Sequence, residues 1–291
     1  MPELPEVETV RMGLAPVLEH RRITRVETRR GDLRVPFPPR FVERLTRHKV
    51  TRLSRRAKYL LADLDSGETL VMHLGMSGRF SVHAKDRELK LGTYVYEPAS
   101  SGVQRDRHDH VILETDAPAE IVFNDHRRFG LMLLVDTAAL AQHPLFAALG
   151  PEPLSPAFNA GILEHALAGR RTPIKSALLD QRTVAGLGNI YVCEALFYAA
   201  ISPKRMAATI NSGRANALVR AIRSVLRAAI KAGGSSLRDY ARTDGALGEF
   251  QHRFAVYDRE GAPCPRDGCT GKISRIVQSG RSTFYCTKCQ R

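Results

Sequence analysis

The chain has no apolar run long enough to span a bilayer and no secretory signal at its start, so neither a membrane protein nor an exported one is expected. Cysteine is scarce too. Of five, four fall in the last 28 residues and the fifth, Cys193, stands alone in an apolar helical pattern, which excludes a disulfide framework and suits a metal site. Acidic residues are short in supply: 30 Asp+Glu against 44 Lys+Arg leave a net charge of +14 and a pI near 10.0. A polyanionic partner is the economical explanation, with anionic membrane as the competitor. Repeats and low-complexity segments are absent. The 43% hydrophobic content over 291 residues is that of an ordinary globular protein with room for two domains. A soluble, cytoplasmic protein is the expectation.

The chain opens Met1-Pro2-Glu3-Leu4-Pro5-Glu6. Removal of Met1 would expose a secondary amine. Attack of a prolyl nitrogen on a sugar aldehyde gives an iminium with no N–H to lose, a permanently cationic electron sink that acidifies neighbouring C–H bonds. An α-amine with pKa roughly 8 is about 20% neutral near pH 7.4, against roughly 0.1% for a lysine. Glu3 would be within reach as general acid or base. The same residues suit an ordinary helix start, with Pro5 at the first helical position and Glu6 and Glu8 in a turn that favours negative charge. Val7, Val10, Leu14 and Leu18 continue a helical stripe behind them.

From Ile23 to about 135 the pattern alternates as strands do, with Asp65-Ser66-Gly67-Glu68 a hairpin turn. Gly92, Pro98, Ser100, Ser101 and Gly102 make 83–107 a long surface excursion. Helical periodicity begins near Ala138, after which Pro144, Pro151, Pro153 and Pro156 mark a connector. A long helix over 213–232 sets Leu218, Ile222, Val225 and Ala229 against Arg220, Arg223, Arg227 and Lys231, and ends at Gly233-Gly234. Its basic side is a solvated face or a phosphate contact.

Cys264-x4-Cys269 and Cys286-x2-Cys289 place two thiolate pairs on two turns, the spacing of a four-cysteine zinc ribbon. Four thiolates close the coordination sphere, so one structural Zn2+ is expected. Between the pairs Lys272 to Tyr285 reads as a basic β-hairpin.

Six segments converge on one family: Pro2 to Thr9, Arg56-Ala57-Lys58-Tyr59-Leu60, His73-Leu74-Gly75-Met76-Ser77-Gly78, Arg127-Arg128-Phe129-Gly130, Gly186 to Tyr191, and Arg281 to Cys286. Over nearly its whole length the chain resembles the formamidopyrimidine-DNA glycosylases, also called 8-oxoguanine DNA glycosylases. The resemblance implies an α+β multidomain fold. Its parts are an N-terminal catalytic β-sandwich with flanking helices over 2–137, a helix-two-turns-helix DNA-binding domain over 138–248, and a lid/linker with a zinc finger over 249–291. Damaged DNA would lie in the cleft between halves.

By the same resemblance a damaged purine is flipped out of damaged double-stranded DNA. Pro2 then attacks C1′, Glu3 manages the protons, and β- and δ-elimination cut the strand. Lys58 would assist elimination at the lesion and Arg281 the δ-step. His73 and Asn189 would complete a phosphate clamp, although Asn189 also suits a helix cap. Met76, Arg127 and Phe129 would fill the hole left in the stack. His108, Arg170 and Lys175 match further DNA-backbone contacts. The Asp244 to Phe250 loop matches the one that closes on an oxidised purine, its Gly245 and Gly248 giving it freedom to move. The implied protein is a monomeric base-excision repair enzyme, glycosylase and lyase, associated with the nucleoid and needing no small-molecule cofactor. Two departures stand out: the wider first cysteine pair and the long 83–107 segment. An endonuclease VIII-like enzyme for oxidised pyrimidines and a noncatalytic zinc-finger DNA binder are the competing readings.

Overall fold

The computed structural model describes residues 2–85, 88–91, 94–98, 105–236 and 241–291. Met1, and with it the question of its removal, lies outside the described residues, as do Gly92, Ser100, Ser101 and Gly102. By compactness the chain divides into two units, Met1–Ala147 with Gly233–Glu249, and Ala148–Ala232 with Phe250–Arg291. Gly233–Glu249 groups with the N-terminal unit, although the sequence division placed it at the end of the helical segment and, for Glu249, at the start of the finger segment.

In the first unit, helix α1 (Leu4–Leu18) begins one residue earlier than Pro5, which takes the second helical position, where its missing N–H costs nothing. Val7, Val10, Leu14, Val17 and Leu18 are buried on one stripe. The strands are β1 (Ile23–Thr28), β2 (Val50–Arg56), β3 (Tyr59–Leu64), β4 (Glu68–His73), β5 (Arg79–Ala84), β6 (Leu89–Leu91), β7 (Tyr94–Tyr96), β8 (Asp109–Thr115), β9 (Ala119–Asn124) and β10 (Leu131–Asp136), with a short helix α2 (Phe41–Leu45) after β1. Eight of them form two antiparallel four-stranded sheets, β1-β8-β9-β5 and β10-β4-β3-β2. Alternate residues of both, among them Leu60, Ala62 and Leu64 from one sheet and Val111, Leu113, Ile121 and Phe123 from the other, enter a single core with the α1 stripe. This is the expected sandwich. The expected turn at Asp65 to Glu68 joins β3 to β4, with Gly67 at φ 86°.

Where it is described, the 83–107 segment keeps much of its expected surface character, with Lys85, Glu88, Lys90, Glu97 and Arg105 to Arg107 exposed, but it also sends two tyrosines inward. β6 and β7 pair as an antiparallel hairpin, and Tyr94 and Tyr96 are buried in the sandwich core. Their hydroxyls reach backbone carbonyls of α1, which satisfies the polar end of each buried ring.

The second unit contains α3 (Ala160–Leu167), α4 (Ile174–Leu179), α5 (Asn189–Tyr198), α6 (Ser212–Lys231) and the hairpin β11 (Ile273–Gln278) with β12 (Arg281–Cys286). The Asn211 side chain caps α6 through the Arg214 N–H at 3.1 Å. Leu218, Ile222, Val225 and Ala229 are buried as expected. On the opposite side Arg223 is structural, donating to the carbonyls of Pro153, Ser155 and Phe158, while Arg220, Arg227 and Lys231 remain exposed. Among the described residues no helix is long and apolar enough to cross a membrane.

Candidate active site

The amino-terminal corner is built from α1 and the β2–β3 hairpin. Pro2 is buried, and Glu3, only 4% exposed, stands immediately before α1. Glu6, also buried, accepts from the Glu3 backbone N–H at 2.9 Å through one carboxylate oxygen. Its other oxygen accepts from the Ser235 N–H at 2.8 Å and the Ser235 hydroxyl at 3.2 Å. One carboxylate therefore fixes the backbone beside Pro2 to the segment that follows α6.

Lys58 sits at the tight β2–β3 turn, where Arg56 pairs with Tyr59 and Ala57 takes a left-handed φ of 54°. It is 7% exposed. Arg55 anchors this turn to α1, donating to the Ala57 carbonyl at 2.9 Å and to the Glu8 carboxylate at 3.0 Å. Tyr59 in turn pairs with His73 on β4, their rings 4.8 Å apart. Burial, then the positive charges of Lys58 and Arg34, push the His73 pKa down to about 4. Its Nδ1 accepts from the Gly75 N–H at 2.9 Å, so the neutral ring carries its proton on Nε2 and can donate from there.

The depressed pKa ties stability to pH. With a folded pKa of about 4 against 6.5 when unfolded, His73 lets the unfolded chain take up the proton first. Stability conferred by the neutral ring is complete above pH 6.5 and is lost as the pH falls toward 4, up to about 3 kcal/mol. His73→Gln should flatten that limb in denaturant melts across the window; an identical acid limb in the variant would contradict the assignment.

Two loops meet above this sheet. Gly75, at φ 64°, touches the Phe129 backbone so closely that a Cβ would lie 2.3 Å from its carbonyl carbon. Only glycine allows that approach. Asp125, fully buried, staples both loops: it accepts from the Ser77 hydroxyl at 2.6 Å and from the Gly130 N–H at 2.7 Å. The result displays Met76 (40% exposed) and Phe129 (44%) on the surface, with the Arg127 guanidinium 4.7 Å from the Phe129 ring centre. Large apolar side chains held out into solvent are what a wedge needs and what a core residue avoids. Asp125→Ala leaves two buried donors without a partner and should cost about 3 kcal/mol. Wild-type thermal stability in that variant would refute the staple.

In the second unit the hairpin tip is a two-residue turn, Ser279-Gly280, with both φ positive (50° and 71°), and it presents Arg281 in the open. Asn189 is the first residue of α5, and the cap position belongs to Gly188. The expected capping bond is not made. Its amide instead donates to the Ser282 carbonyl at 2.9 Å. The expectation for Lys175 needs correction: it is fully buried, its ammonium donating to the Ser282 carbonyl at 3.0 Å and the Thr283 hydroxyl at 2.6 Å. A side chain spent on bracing β12 offers nothing to a phosphate. Arg170 is a third exposed and paired with Asp180 at 3.1 Å, and His108, half-buried, accepts from the Arg107 guanidinium at 3.1 Å.

The four finger sulfurs lie within 4.8 Å of one another, Cys264 to Cys289 and Cys269 to Cys286 at 3.7 Å. Tetrahedral zinc with bonds of about 2.3 Å has sulfur–sulfur edges of about 3.8 Å, so the residues fit the ion. The wider knuckle also has a use, because Arg266 within it donates to the Phe197 carbonyl at the end of α5 and lies over that residue's ring. The finger's apolar side packs on Cys193 and Phe197 of α5. Glu194, buried beside them, accepts from the N–H groups of Ala255, Val256 and Tyr257 at 2.8 to 2.9 Å, while its burial raises its pKa.

Asp125, Glu194 and Arg266 escaped the sequence reading, and Glu6 was read only as a favourable charge at a helix start. A carboxylate three residues after Glu3 and an aspartate beside Arg127 were visible signals, but only the fold shows that they bind backbone N–H groups rather than solvent.

Comparison with known proteins follows this geometry closely. A model described as the formamidopyrimidine-DNA glycosylase N-terminal domain matches residues 1–132, one described as the H2TH domain of that enzyme matches 149–241, and a zinc finger found in FPG and IleRS matches 261–291. The formamidopyrimidine-DNA glycosylases of Phenylobacterium zucineum and Cereibacter sphaeroides (strain ATCC 17025 / ATH 2.4.3) are 60% and 57% identical to this chain, each aligned over all of both chains. The crystal structure of the MutM (FPG) protein of Thermus thermophilus superposes with a TM-score of 0.82 at 37% identity, covering 99% of this chain and 98% of that one. A Lactococcus lactis FPG mutant in complex with Fapy-dG containing DNA gives 0.85 at 31% identity, over 100% of both. Sandwich, H2TH helices and four-cysteine finger together define the zinc-finger class of DNA glycosylases. Within that class the chain belongs to the formamidopyrimidine-DNA glycosylase family.

Proposed function

We propose that this protein removes oxidised purines, 8-oxoguanine and formamidopyrimidines, from duplex DNA and then cleaves the strand at the abasic sugar. The observation that carries the reading is the amino-terminal corner, where a buried Pro2 and Glu3 are fixed by Glu6 at the start of α1, and Arg55 ties the turn that carries Lys58 to Glu8 of the same helix. The relatives' names and the Lactococcus lactis complexes with Fapy-dG and abasic-site DNA supply the substrate class.

The mechanism requires loss of Met1. The damaged nucleotide leaves the stack, and the Pro2 nitrogen bonds to C1′ as the glycosidic bond breaks, the electron pair departing with the base. Glu3 protonates the ring oxygen and opens the sugar. The cationic iminium then lowers the barrier to proton loss at C2′, and β-elimination expels the 3′ phosphate. Lys58 assists this step, and a δ-elimination aided by Arg281 releases the 5′ phosphate. His73 donates from Nε2 to a phosphate, with Asn189, His108 and Arg170 as further backbone contacts. Met76 and Phe129 replace the lost stacking while Arg127 donates to the opposite base. The zinc supplies no step; its four thiolates hold the finger that carries Arg281. The 2–137 segment serves catalysis, 138–248 DNA binding, and 249–291 finger and linker. The protein works as a monomer in the cytoplasm, on the nucleoid.

Single-turnover excision on otherwise identical duplexes tests this. Fast release of 8-oxoguanine opposite cytosine, with slow release of an oxidised pyrimidine, is expected. The reverse order would transfer the enzyme to the pyrimidine-excising branch, and release of neither would leave a DNA binder.

A further inference from the structure

Gly13 lies in the middle of α1, where glycine costs a helix about 1 kcal/mol relative to alanine. A Cβ at this position would fall 2.0 Å from Thr243 Oγ1 and 3.0 Å from a ring carbon of Tyr94. Three stretches of the first unit therefore cross at one point: the helix that begins behind Pro2, the β6–β7 hairpin, and the entrance to the loop at Asp244. The Tyr96 hydroxyl donates to the Gly13 carbonyl, and that of Tyr94 reaches the Thr9 carbonyl at 3.4 Å. On its other side Tyr94 carries the Arg242 guanidinium 5.0 Å from its ring centre, and Arg242 pairs with Asp244 at 3.0 Å. The Val82 N–H of β5 donates to the Thr243 carbonyl at 2.9 Å.

The far end of the loop is fixed as well. The Gly248 N–H donates to the Ser236 hydroxyl at 2.9 Å, and a Cβ at Gly248 would lie 2.4 Å from the Gly234 carbonyl oxygen. Between these anchors a short span carries Gly245 at φ 82° and Leu247, 65% exposed.

We propose that Tyr94 and Tyr96 are positioning residues for damaged-base selectivity, holding the Arg242–Gly248 loop against the helix that bears the nucleophile. This rests on the glycosylase reading above. A loop that closes on a base matters only while a base is present. An abasic sugar offers Pro2 the same C1′ and nothing for the loop to enclose, so the tyrosines act on excision and not on abasic-site cleavage.

The test compares single-turnover cleavage of an 8-oxoguanine:cytosine duplex with that of the same duplex carrying a preformed abasic site. Tyr94→Ala combined with Tyr96→Ala should slow the first about tenfold or more and the second by less than about twofold. Tyr94→Phe alone, with Tyr96 intact, keeps the ring under Arg242 and should excise at close to the wild-type rate. Should the double alanine variant fail to fold, Tyr96→Phe, which removes one hydroxyl, carries the same split at about threefold. Equal losses on both duplexes, or none on either, overturn the proposal. The chain contains no tryptophan, so Leu247→Trp supplies a single fluorescent probe on the loop. Its anisotropy should fall when Tyr94→Ala is added; unchanged anisotropy also counts against the proposal. Wild-type protein inert on both duplexes would instead remove the glycosylase reading itself.

Discussion

Pro2→Thr should abolish strand cleavage at 8-oxoguanine while leaving DNA binding close to wild type. The proposed step forms a bond between the prolyl nitrogen and C1′, and the cation that drives elimination exists only while that bond does. Threonine in the same place presents a primary amine, whose imine loses its proton and its charge, in a corner shaped around a buried pyrrolidine ring. A fall of roughly a thousandfold or more in the single-turnover rate is expected, the size seen when a nucleophile is removed and the binding machinery remains. Binding persists because Met76, Arg127, Phe129 and the finger are untouched. Retention of Met1 should have the same effect for the same reason. Cleavage at an unchanged rate in protein verified to begin with threonine would sink the mechanism.

Cys286→Ala should cost the protein its finger and most of its hold on DNA. Cys286 is buried at the end of β12, where its sulfur sits 3.7 Å from that of Cys269 and its N–H donates to the Gln290 side chain. Structural zinc contributes about 10 kcal/mol or more to folding such a module, far more than so short a hairpin can supply from its own core. With the finger unfolded, Arg281 loses its turn, and the braces from Asn189 and Lys175 to Ser282 lose their target. Affinity for a lesion duplex should drop by roughly 100-fold, about 3 kcal/mol. Removal of zinc by chelation should reproduce the loss and replacement should reverse it. Zinc-free protein that binds like wild type with an ordered finger would contradict the account.

What could be read before the fold was known were features fixed by local chemistry. Four thiolates at ribbon spacing and strand alternation each state their purpose within a few residues, and both agree with the α+β architecture observed. The resemblance carried the separated motifs that no local pattern joins. What stayed hidden depends on long-range pairing. Lys175 looks like a surface cation in Arg170-Arg171-Thr172-Pro173-Ile174-Lys175, and only the seating of β12, over a hundred residues later, buries it. Gly92 and Pro98 were read as marks of a surface excursion, and they say nothing of Tyr94 and Tyr96, whose hydroxyls meet carbonyls on α1. Glu6 was read as a favourable charge at a helix start, whereas its role is set by Ser235. Polar residues that bind backbone groups far along the chain are the ones a sequence conceals.

Borohydride trapping on a duplex carrying 8-oxoguanine opposite cytosine, followed by peptide mass mapping of the adduct, tests the central claim most directly. The account predicts a reduced crosslink between the DNA sugar and the nitrogen of Pro2, formed in protein that lacks Met1 and absent from Pro2→Thr. A crosslink mapped to Lys58, or no crosslink from correctly processed protein that still binds the duplex, would contradict it.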